Sequence, residues 1–242
     1  AEIDDDLATK YLEGEEITQE ELKTGLVQGV RTGTLVPVLA GSPLKGLGVE
    51  ELLDLIVDYL PSPADRPPSV ATAAEGQDEL ELPADSSGPL TALVFKTSAD
   101  PFVGKLSLFR VYSGALQSDS SVWNVSRGEA ERVAQVFSVN GKEQEASPSI
   151  VAGDIGAVSK LTTVVTGDTL SSREKQLRVE GLAFPSPMYQ MSVYPKTKAD
   201  VDKMTSSLAR IVEEDPSLLV TRDPDTHQTL MSGLGDTHLE VS

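Results

Sequence analysis

The stretch DPFVGKLSLFRVYSG, from Asp100 to Gly114, has the pattern of a β-strand held between two turns. Its start favours a turn, because Pro101 fixes its own backbone angle and the Asp100 carboxylate can accept hydrogen bonds from the following amides. Its last two residues, Ser and Gly, are also typical of a turn. Between the turns lies a run of Leu, Phe and Val with the composition of a strand. The stretch carries no catalytic group, so it predicts a structural role.

The sequence around this stretch repeats the same pattern, so we expect residues 89–175 to form one β-rich domain. Short runs with β-branched residues are separated mostly by Gly, Ser, Asp or Asn, which is typical of a closed barrel or a sandwich. A barrel is favoured because several runs are apolar on both sides. The runs are LTALVFKT (90–97), GKLSLFRVYSG (104–114), SSVWNVSRG (120–128), AERVAQVFSVNG (130–141) and IGAVSKLTT (155–163).

Residues 1–63 have the alternating order of an α/β domain. Thr18 and Glu21 form a capping box that predicts a helix from about Gln19 to Arg31. The run 34–40 predicts a short buried strand, and the loop 41–46 follows it. Apolar residues then recur at helical spacing from residue 49 to residue 60, before two prolines stop the helix. Helix, strand, loop and helix make one edge of an α/β domain without its complete sheet.

Residues 64–88 are rich in Pro, Ala, Ser and acidic residues, and they show no sustained period. Such a composition does not bury enough apolar surface to order itself, so we predict a linker. Part of this segment is expected to be extended, for example around Leu80 to Leu82.

Residues 176–242 predict a partial α+β domain of the ferredoxin-like type. The run MYQMSVYP (188–195) reads as a strand, and the sequence from Thr197 onward predicts a capped helix. The run 218–233 predicts a hairpin that turns at residues 223–226, and residues 233–240 resemble the entry to another helix. This order is most of a split βαβ unit. We therefore expect the chain to be the middle of a longer protein.

Composition limits the classes of function. The chain has 242 residues, a formal net charge of −18 and no cysteine, so disulfides and thiolate chemistry are excluded. Because proteins that hold bare nucleic acid are usually basic, binding of free DNA or RNA through a broad basic face is not expected, although docking onto a mixed protein and RNA surface stays open. No window approaches the roughly 18 apolar residues of a membrane span, so we expect no membrane association.

The opening stretch also carries a family resemblance. The pattern Gly104-x-Leu106-x-x-x-Arg110-Val111-x-Ser113-Gly114 resembles the hallmark of the second-domain barrel of translational GTPases. Further blocks resemble the elongation factor G family in the family's own order. They are KYLEGEEIT (10–18), VPVLAGSPLKGLGVEELLDLIVDYLPSP (36–63), AGDIGAV (152–158), TGDTL (166–170), YPKTKADVDKM (194–204), EEDPSLLV (213–220) and SGLGDTHLEV (232–241).

The resemblance implies a multidomain chain: the end of an α/β GTPase domain, then an all-β translation-factor barrel, then a partial α+β ferredoxin-like domain. It implies a cytoplasmic, monomeric ribosome-bound factor that drives movement of tRNA and mRNA, with ribosomal RNA and proteins as partners. Two alternatives stay open. One is a related ribosomal GTPase for release-factor recycling or ribosome protection, and the other is a non-catalytic ribosome-docking module. Asp236 and Thr237, where the family commonly has Glu and Leu, point toward a paralogue.

The phosphate loop G-x-x-x-x-G-K-[ST] does not occur in the sequence. The resemblance places GTP or GDP and Mg²⁺, together with the catalytic residues, in a part of the longer protein that this chain lacks. We therefore expect the chain to contain no catalytic residue, to bind no cofactor tightly and to hydrolyse no GTP. A metal site is not expected either, because His227 and His238 are the only histidines and do not form a ligand pair.

The resemblance assigns a remnant of the guanine-binding loop to Gly41, Ser42 and Leu44, around Pro43. The family commonly offers a backbone amide from an Ala at the position of Pro43, and proline has none. Either Ser42 or Leu44 supplies that contact, or the contact is weaker. The alternative is that residues 41–46 are an ordinary loop between a strand and a helix, without a role in nucleotide binding.

Three cations are candidate ribosome contacts. Arg110 either meets an RNA phosphate or pairs with an acid on a neighbouring strand, and the pairing is favoured because the motif occurs in family members with different tasks. Lys196 and Lys198 precede a helix in a chain short of basic residues. Their alternative is plain solvation of a surface.

Overall fold

In a computed structural model that describes residues 5–74, 76, 78–100 and 104–242, the chain divides into the units Ala1–Arg66 and Pro67–Ser242. The turn predicted at Asp100-Pro101 lies partly outside the described residues, since Pro101 is not among them. No helix in the described part has the length and apolar content needed to span a bilayer.

The described residues of the first unit form three α-helices: α1 (Asp5–Glu13), α2 (Gln19–Thr32) and α3 (Val49–Tyr59). The predicted helix after Thr18 is confirmed as α2, with both hydrogen bonds of the Thr18–Glu21 capping box present. An ion pair between Lys10 and Glu21 joins α1 to the start of α2. The Lys10 ammonium, followed by the Thr18 amide and hydroxyl, lowers the pKa of Glu21 to about 2. Helix α1 was not predicted.

The buried strand predicted over residues 34–40 is wrong. These residues form no ladder with any described strand, and Val36 and Val38 are 80% and 89% exposed. Their β-branched side chains favour an extended backbone, but a strand forms only when a neighbouring strand accepts and donates its backbone hydrogen bonds. The described residues of the first unit supply no such neighbour.

The second unit is built from strands and two further helices. The strands are β1 (Ser69–Ala73), β2 (Glu79–Leu82), β3 (Thr91–Asp100), β4 (Gly104–Ser113), β5 (Ala115–Gln117), β6 (Ser120–Asn124), β7 (Glu129–Val133), β8 (Val136–Asn140), β9 (Glu143–Ser147), β10 (Ser149–Val151), β11 (Ile155–Ser159), β12 (Thr169–Ser171), β13 (Leu177–Val179), β14 (Tyr189–Val193), β15 (Leu219–Arg222) and β16 (Thr229–Gly233). The helices are α4 (Val201–Glu214) and α5 (Asp236–Val241).

Residues 64–88 are not the unstructured linker that their composition predicts. Strands β1 and β2 pair with each other, and β1 also pairs with β13 after the barrel. Ala71 and Leu82 are buried in a cluster with Leu93 of β3 and with Leu177 and Val179 of β13. Apolar surface of the barrel therefore provides the burial that this segment cannot provide for itself.

The predicted barrel is present as a curled antiparallel sheet in the order β7-β6-β12-β3-β4-β11-β8-β9, with β5 and β10 paired separately. Strand β4, the centre of the opening stretch, pairs with β3 on one side and β11 on the other. Its inward side chains Phe109 and Val111 are fully buried in the main core. Gly114 ends the strand in the left-handed region, with φ of +72°.

The predicted αβ elements after the barrel are confirmed. Strands β14, β16 and β15 form an antiparallel sheet, and the predicted helices appear as α4 and α5. The hairpin turns where predicted, because one Asp223 carboxylate oxygen accepts the amides of Asp225 and Thr226 at 2.9 and 2.8 Å. The buried cluster of this part is formed by Leu208, Leu218, Met231 and Leu239.

Candidate functional site

The loop 41–46 contains a single 3₁₀ turn, Pro43–Lys45, closed by a bridge between Ser42 and Leu47. Gly41 has no room for a side chain, since a Cβ there would lie 2.8 Å from the Leu47 carbonyl oxygen. The two ends of the loop therefore pass close to each other and fix its shape. Leu44 projects from the loop tip and is 98% exposed.

The hydrogen bonds of this loop separate its two candidate amides. The Ser42 N–H donates to the Leu47 carbonyl at 2.9 Å, so it is already engaged. The Leu44 N–H precedes the first donor of the 3₁₀ turn, which is the Lys45 amide bonded to Ser42. Leu44 is therefore the better placed of the two to meet a base carbonyl, while a role for Gly41, Ser42 and Leu44 in nucleotide binding stays a prediction.

Among the residues that the structure describes, Arg110 forms no ion pair with an acid, which was the favoured alternative for it. The residues opposite it in register are Leu93 and Ile155, and neither is acidic. Its guanidinium instead lies over the ring of Tyr112, 5.5 Å from the ring centroid. The two side chains share the outer face of β4 because they are two residues apart. Contact of Arg110 with RNA stays a prediction.

Lys196 and Lys198 are both exposed, and they do not face one site. Lys196 lines a shallow cavity of about 300 Å³ together with Lys203 and Met204, whereas Lys198 lies outside its lining in the turn before α4. Lys203 was not singled out from the sequence. It lies in the first turn of α4, close to the segment that carries Lys196. Contact of these lysines with RNA stays a prediction.

The two histidines lie apart from any metal cluster: within the described ranges, no three His, Asp or Glu side chains gather closely enough to hold an ion. His227 has a positive φ of 56° in the hairpin turn. His238 is held by the Leu234 amide at Nδ1 and by Asp215 at Nε2, at 3.1 and 2.9 Å. Burial raises the pKa of Asp215, but hydrogen bonds from Ser217 and His238 outweigh it and bring the pKa below its usual range.

Glu131 is a buried carboxylate that the sequence did not single out. It lies on β7 and accepts the Thr163 hydroxyl at 2.7 Å and the amides of Thr163 and Thr162 at 2.5 and 3.4 Å. Burial alone raises its pKa, but these hydrogen bonds have the larger combined effect, so the pKa is lowered. The charged form therefore ties the 162–164 loop to the barrel.

We expect Glu131→Gln to lower the free energy of unfolding at pH 7 by on the order of 1–3 kcal/mol, since it weakens hydrogen bonds to a charged group. Because the folded pKa is depressed, this contribution is present above the unfolded pKa, near 4.5, and is lost as pH falls through the folded value. Urea unfolding followed by circular dichroism from pH 7 downward measures it. Glu129→Gln, at an exposed position of the same strand, is the control and should change little. Equal effects of the two variants at pH 7 contradict the prediction.

A further cavity of about 380 Å³ opens beside Trp123, where the Arg173 guanidinium lies 5.4 Å from the ring centroid. Neither Trp123 nor Arg173 was predicted from the sequence as a site residue. Trp123 is the one tryptophan of the chain, and it occupies an outward position of the alternating strand β6. The outward position of this large aromatic residue was the signal in the sequence that could have identified the site.

Comparison with known proteins identifies the two folded parts of the second unit. The profile of elongation factor G domain 2 matches residues 89–173, and that of elongation factor G domain III matches residues 184–242. A crystal structure of a protein from Thermus thermophilus is similar over 99% of this chain, with 32% sequence identity and a TM-score of 0.78. The match covers 34% of that protein's chain, so this chain spans about a third of its length.

These matches define a protein of the translation elongation factor class, built on a β-barrel followed by an αβ domain. The chain belongs to the elongation factor G family. The resemblance of the motif at Gly104–Gly114 is therefore confirmed.

Proposed function

We propose that this chain is part of a ribosome-dependent translational GTPase that promotes translocation of tRNA and mRNA during elongation. The observation that carries the proposal is the presence of two elongation factor G domains in the family's order, over residues 89–173 and 184–242. The partner is the ribosome, through its RNA and proteins. The protein acts in the cytoplasm as a monomer.

In this proposal GTP or GDP and Mg²⁺ bind mainly through residues outside this chain. The described residues do not fit a complete nucleotide, because Pro43 has no amide and the Ser42 amide is engaged by Leu47. The exposed Leu44 amide could meet a base carbonyl, but the sequence contains no phosphate loop to hold the phosphates. No step of GTP hydrolysis is therefore assigned to residues of this chain.

We predict that the purified 242-residue chain hydrolyses no GTP above background, with or without ribosomes, because it lacks the residues that stabilise charge on the transferred phosphate. Phosphate release at saturating GTP measures this. An intact elongation factor G, assayed with the same ribosomes, is the positive control. Hydrolysis that persists through a second purification step and copurifies with the chain contradicts the prediction.

Translocation is tested with a chimera, an elongation factor G whose domains 2 and III are replaced by residues 89–242. We expect the chimera to move tRNA and mRNA on ribosomes depleted of their own factor, measured by toeprinting. Its GTPase rate on the same ribosomes is measured in parallel. A chimera that hydrolyses GTP at the parent's rate without moving the mRNA contradicts translocation and favours a recycling or ribosome-protection paralogue.

A further inference from the structure

The cavity beside Trp123 is built by a bulky side chain among small neighbours. In register with Trp123 lie Ala130 on β7 and Ser171 on β12, so neither adjacent strand covers the indole with a large side chain. Ser121, two residues earlier on β6, lies on the same face. The ring is half-buried, and its cavity of about 380 Å³ falls within the roughly 300–1,000 Å³ usual for ligand pockets.

The charged groups in the cavity lining are Arg173 and Glu174, whereas the serine hydroxyls there donate to backbone carbonyls. The exposed Arg173 makes no ion pair with any carboxylate in the described part of the chain, and its guanidinium rests over the Trp123 ring. Residues 173–178 carry the cations Arg173, Lys175 and Arg178 against the single acid Glu174. In a chain with a net charge of −18, this is a locally basic segment beside an aromatic platform.

We propose that this cavity binds an unpaired nucleobase, stacked on Trp123 and covered by the Arg173 guanidinium, with its phosphate toward the basic segment 173–178. Aromatic rings and arginine planes are the surfaces on which proteins stack splayed-out bases, and every base offers a face for stacking. The proposal rests on the proposed function, because a ribosome-bound factor meets unpaired bases of ribosomal RNA.

The spacing between the two side chains is compatible with this mode. Stacked bases repeat at about 3.4 Å, so a base held between ring and guanidinium needs about 6.8 Å. The observed separation is 5.4 Å, so Arg173 has to withdraw by on the order of 1 Å. Since Arg173 is exposed and unpaired by any described carboxylate, no ion pair has to break for this movement.

The tryptophan itself reports binding, because Trp123 is the only tryptophan in the 242-residue chain. We expect its fluorescence to be quenched on titration with a single-stranded adenylate heptamer RNA and with adenosine 5′-monophosphate. A duplex RNA, whose bases are paired, should quench little. Tighter binding of the heptamer than of the mononucleotide identifies RNA as the source of the base, whereas equal affinities identify a free nucleotide.

Two matched variants distinguish base stacking from unspecific electrostatic attraction. Arg173→Ala should weaken heptamer binding about 5- to 100-fold, in the range of one lost stacking layer. Arg210→Ala removes the same charge from an exposed position on α4, outside both the cavity lining and the basic segment, and should weaken binding at most about twofold. Trp123→Leu, followed by anisotropy of a labelled heptamer, should lose affinity as Arg173→Ala does, while circular dichroism shows that the barrel is intact.

Equal weakening by Arg173→Ala and Arg210→Ala, or equal quenching by duplex and single strand, overturns the proposal in favour of unspecific electrostatic binding. Absence of quenching by both the heptamer and the mononucleotide also overturns it. Cosedimentation of the same chain with ribosomes distinguishes failure of the base-binding inference from failure of the proposed function. If the chain sediments with ribosomes but binds no base, only this inference is overturned. If the chain binds the heptamer but not ribosomes, the result counts against the proposed function.

Discussion

Replacing Gly114 by alanine is expected to prevent the second unit from folding, or to lower its free energy of unfolding by more than about 4 kcal/mol. A Cβ at this position would lie 2.7 Å from the carbonyl oxygen of Gly88, 2.7 Å from the amide of Leu90 and 2.8 Å from its Cα. All three are backbone atoms, so no rotation of a side chain relieves the overlap. The positive φ of 72° adds a further penalty for any L-residue with a side chain.

Gly128→Ala is the matched control, because Gly128 has nearly the same φ, 71°, and no atom within 4 Å of a Cβ. That variant should lose only the conformational part, about 1–2 kcal/mol. Urea unfolding followed by Trp123 fluorescence compares the two. If Gly114→Ala unfolds at the same urea concentration as Gly128→Ala, the close approach of the 85–90 segment to Gly114 does not limit stability.

The elements that were predicted correctly are those whose signals are local. The capping box at Thr18 fixed the start of α2, and the Leu, Phe and Val composition before Ser113 predicted the strand β4. The carboxylate of Asp223 placed the hairpin turn by accepting amides two and three residues ahead. For the helix start and the turn, the stabilising contacts lie within a few residues, so the sequence contains them directly.

The wrong predictions depend on partners distant in sequence. Residues 34–40 have strand composition but meet no described strand, while residues 69–73 read as linker and become a strand through pairing with Leu177–Val179. For Arg110, an acid across the strand was favoured, but the register places Leu93 and Ile155 there. The side chain it contacts, Tyr112, is two residues away, and the same-face rule for strands would have found it.

The site residues that were missed also form pairs whose members are distant in sequence. Trp123 and Arg173 are 50 positions apart in the sequence and meet only because β6 and β12 are neighbours in the sheet. Likewise, Asp215 and His238 come together through the packing of the end of α4 against α5. Such pairs need the strand order and register, which composition and periodicity do not supply.

Asp168→Ala is expected to lower the free energy of unfolding by about 1–3 kcal/mol, the cost of leaving a buried donor without its acceptor, because the 44% exposed Arg127 side chain can be hydrated once its partner is lost. One carboxylate oxygen of Asp168 accepts the Asn124 side-chain amide at 2.9 Å, the Arg127 Nε–H at 2.9 Å and the Val165 backbone amide at 3.0 Å. Asn124 is fully buried, so its side-chain N–H cannot bond to water instead when the Asp168 carboxylate is removed.

Two further variants show that the buried network, and not lost volume, is responsible. Asp168→Asn keeps the shape and can offer its carbonyl oxygen to the three donors, but it loses the negative charge, so it should recover only part of the lost stability. Arg132→Ala removes only the exposed ion pair with Asp119 and should cost at most about 1 kcal/mol. Urea midpoints at constant m-value measure all three. Wild-type stability of Asp168→Asn would show that the carboxylate does not hold β6 to the loop before β12.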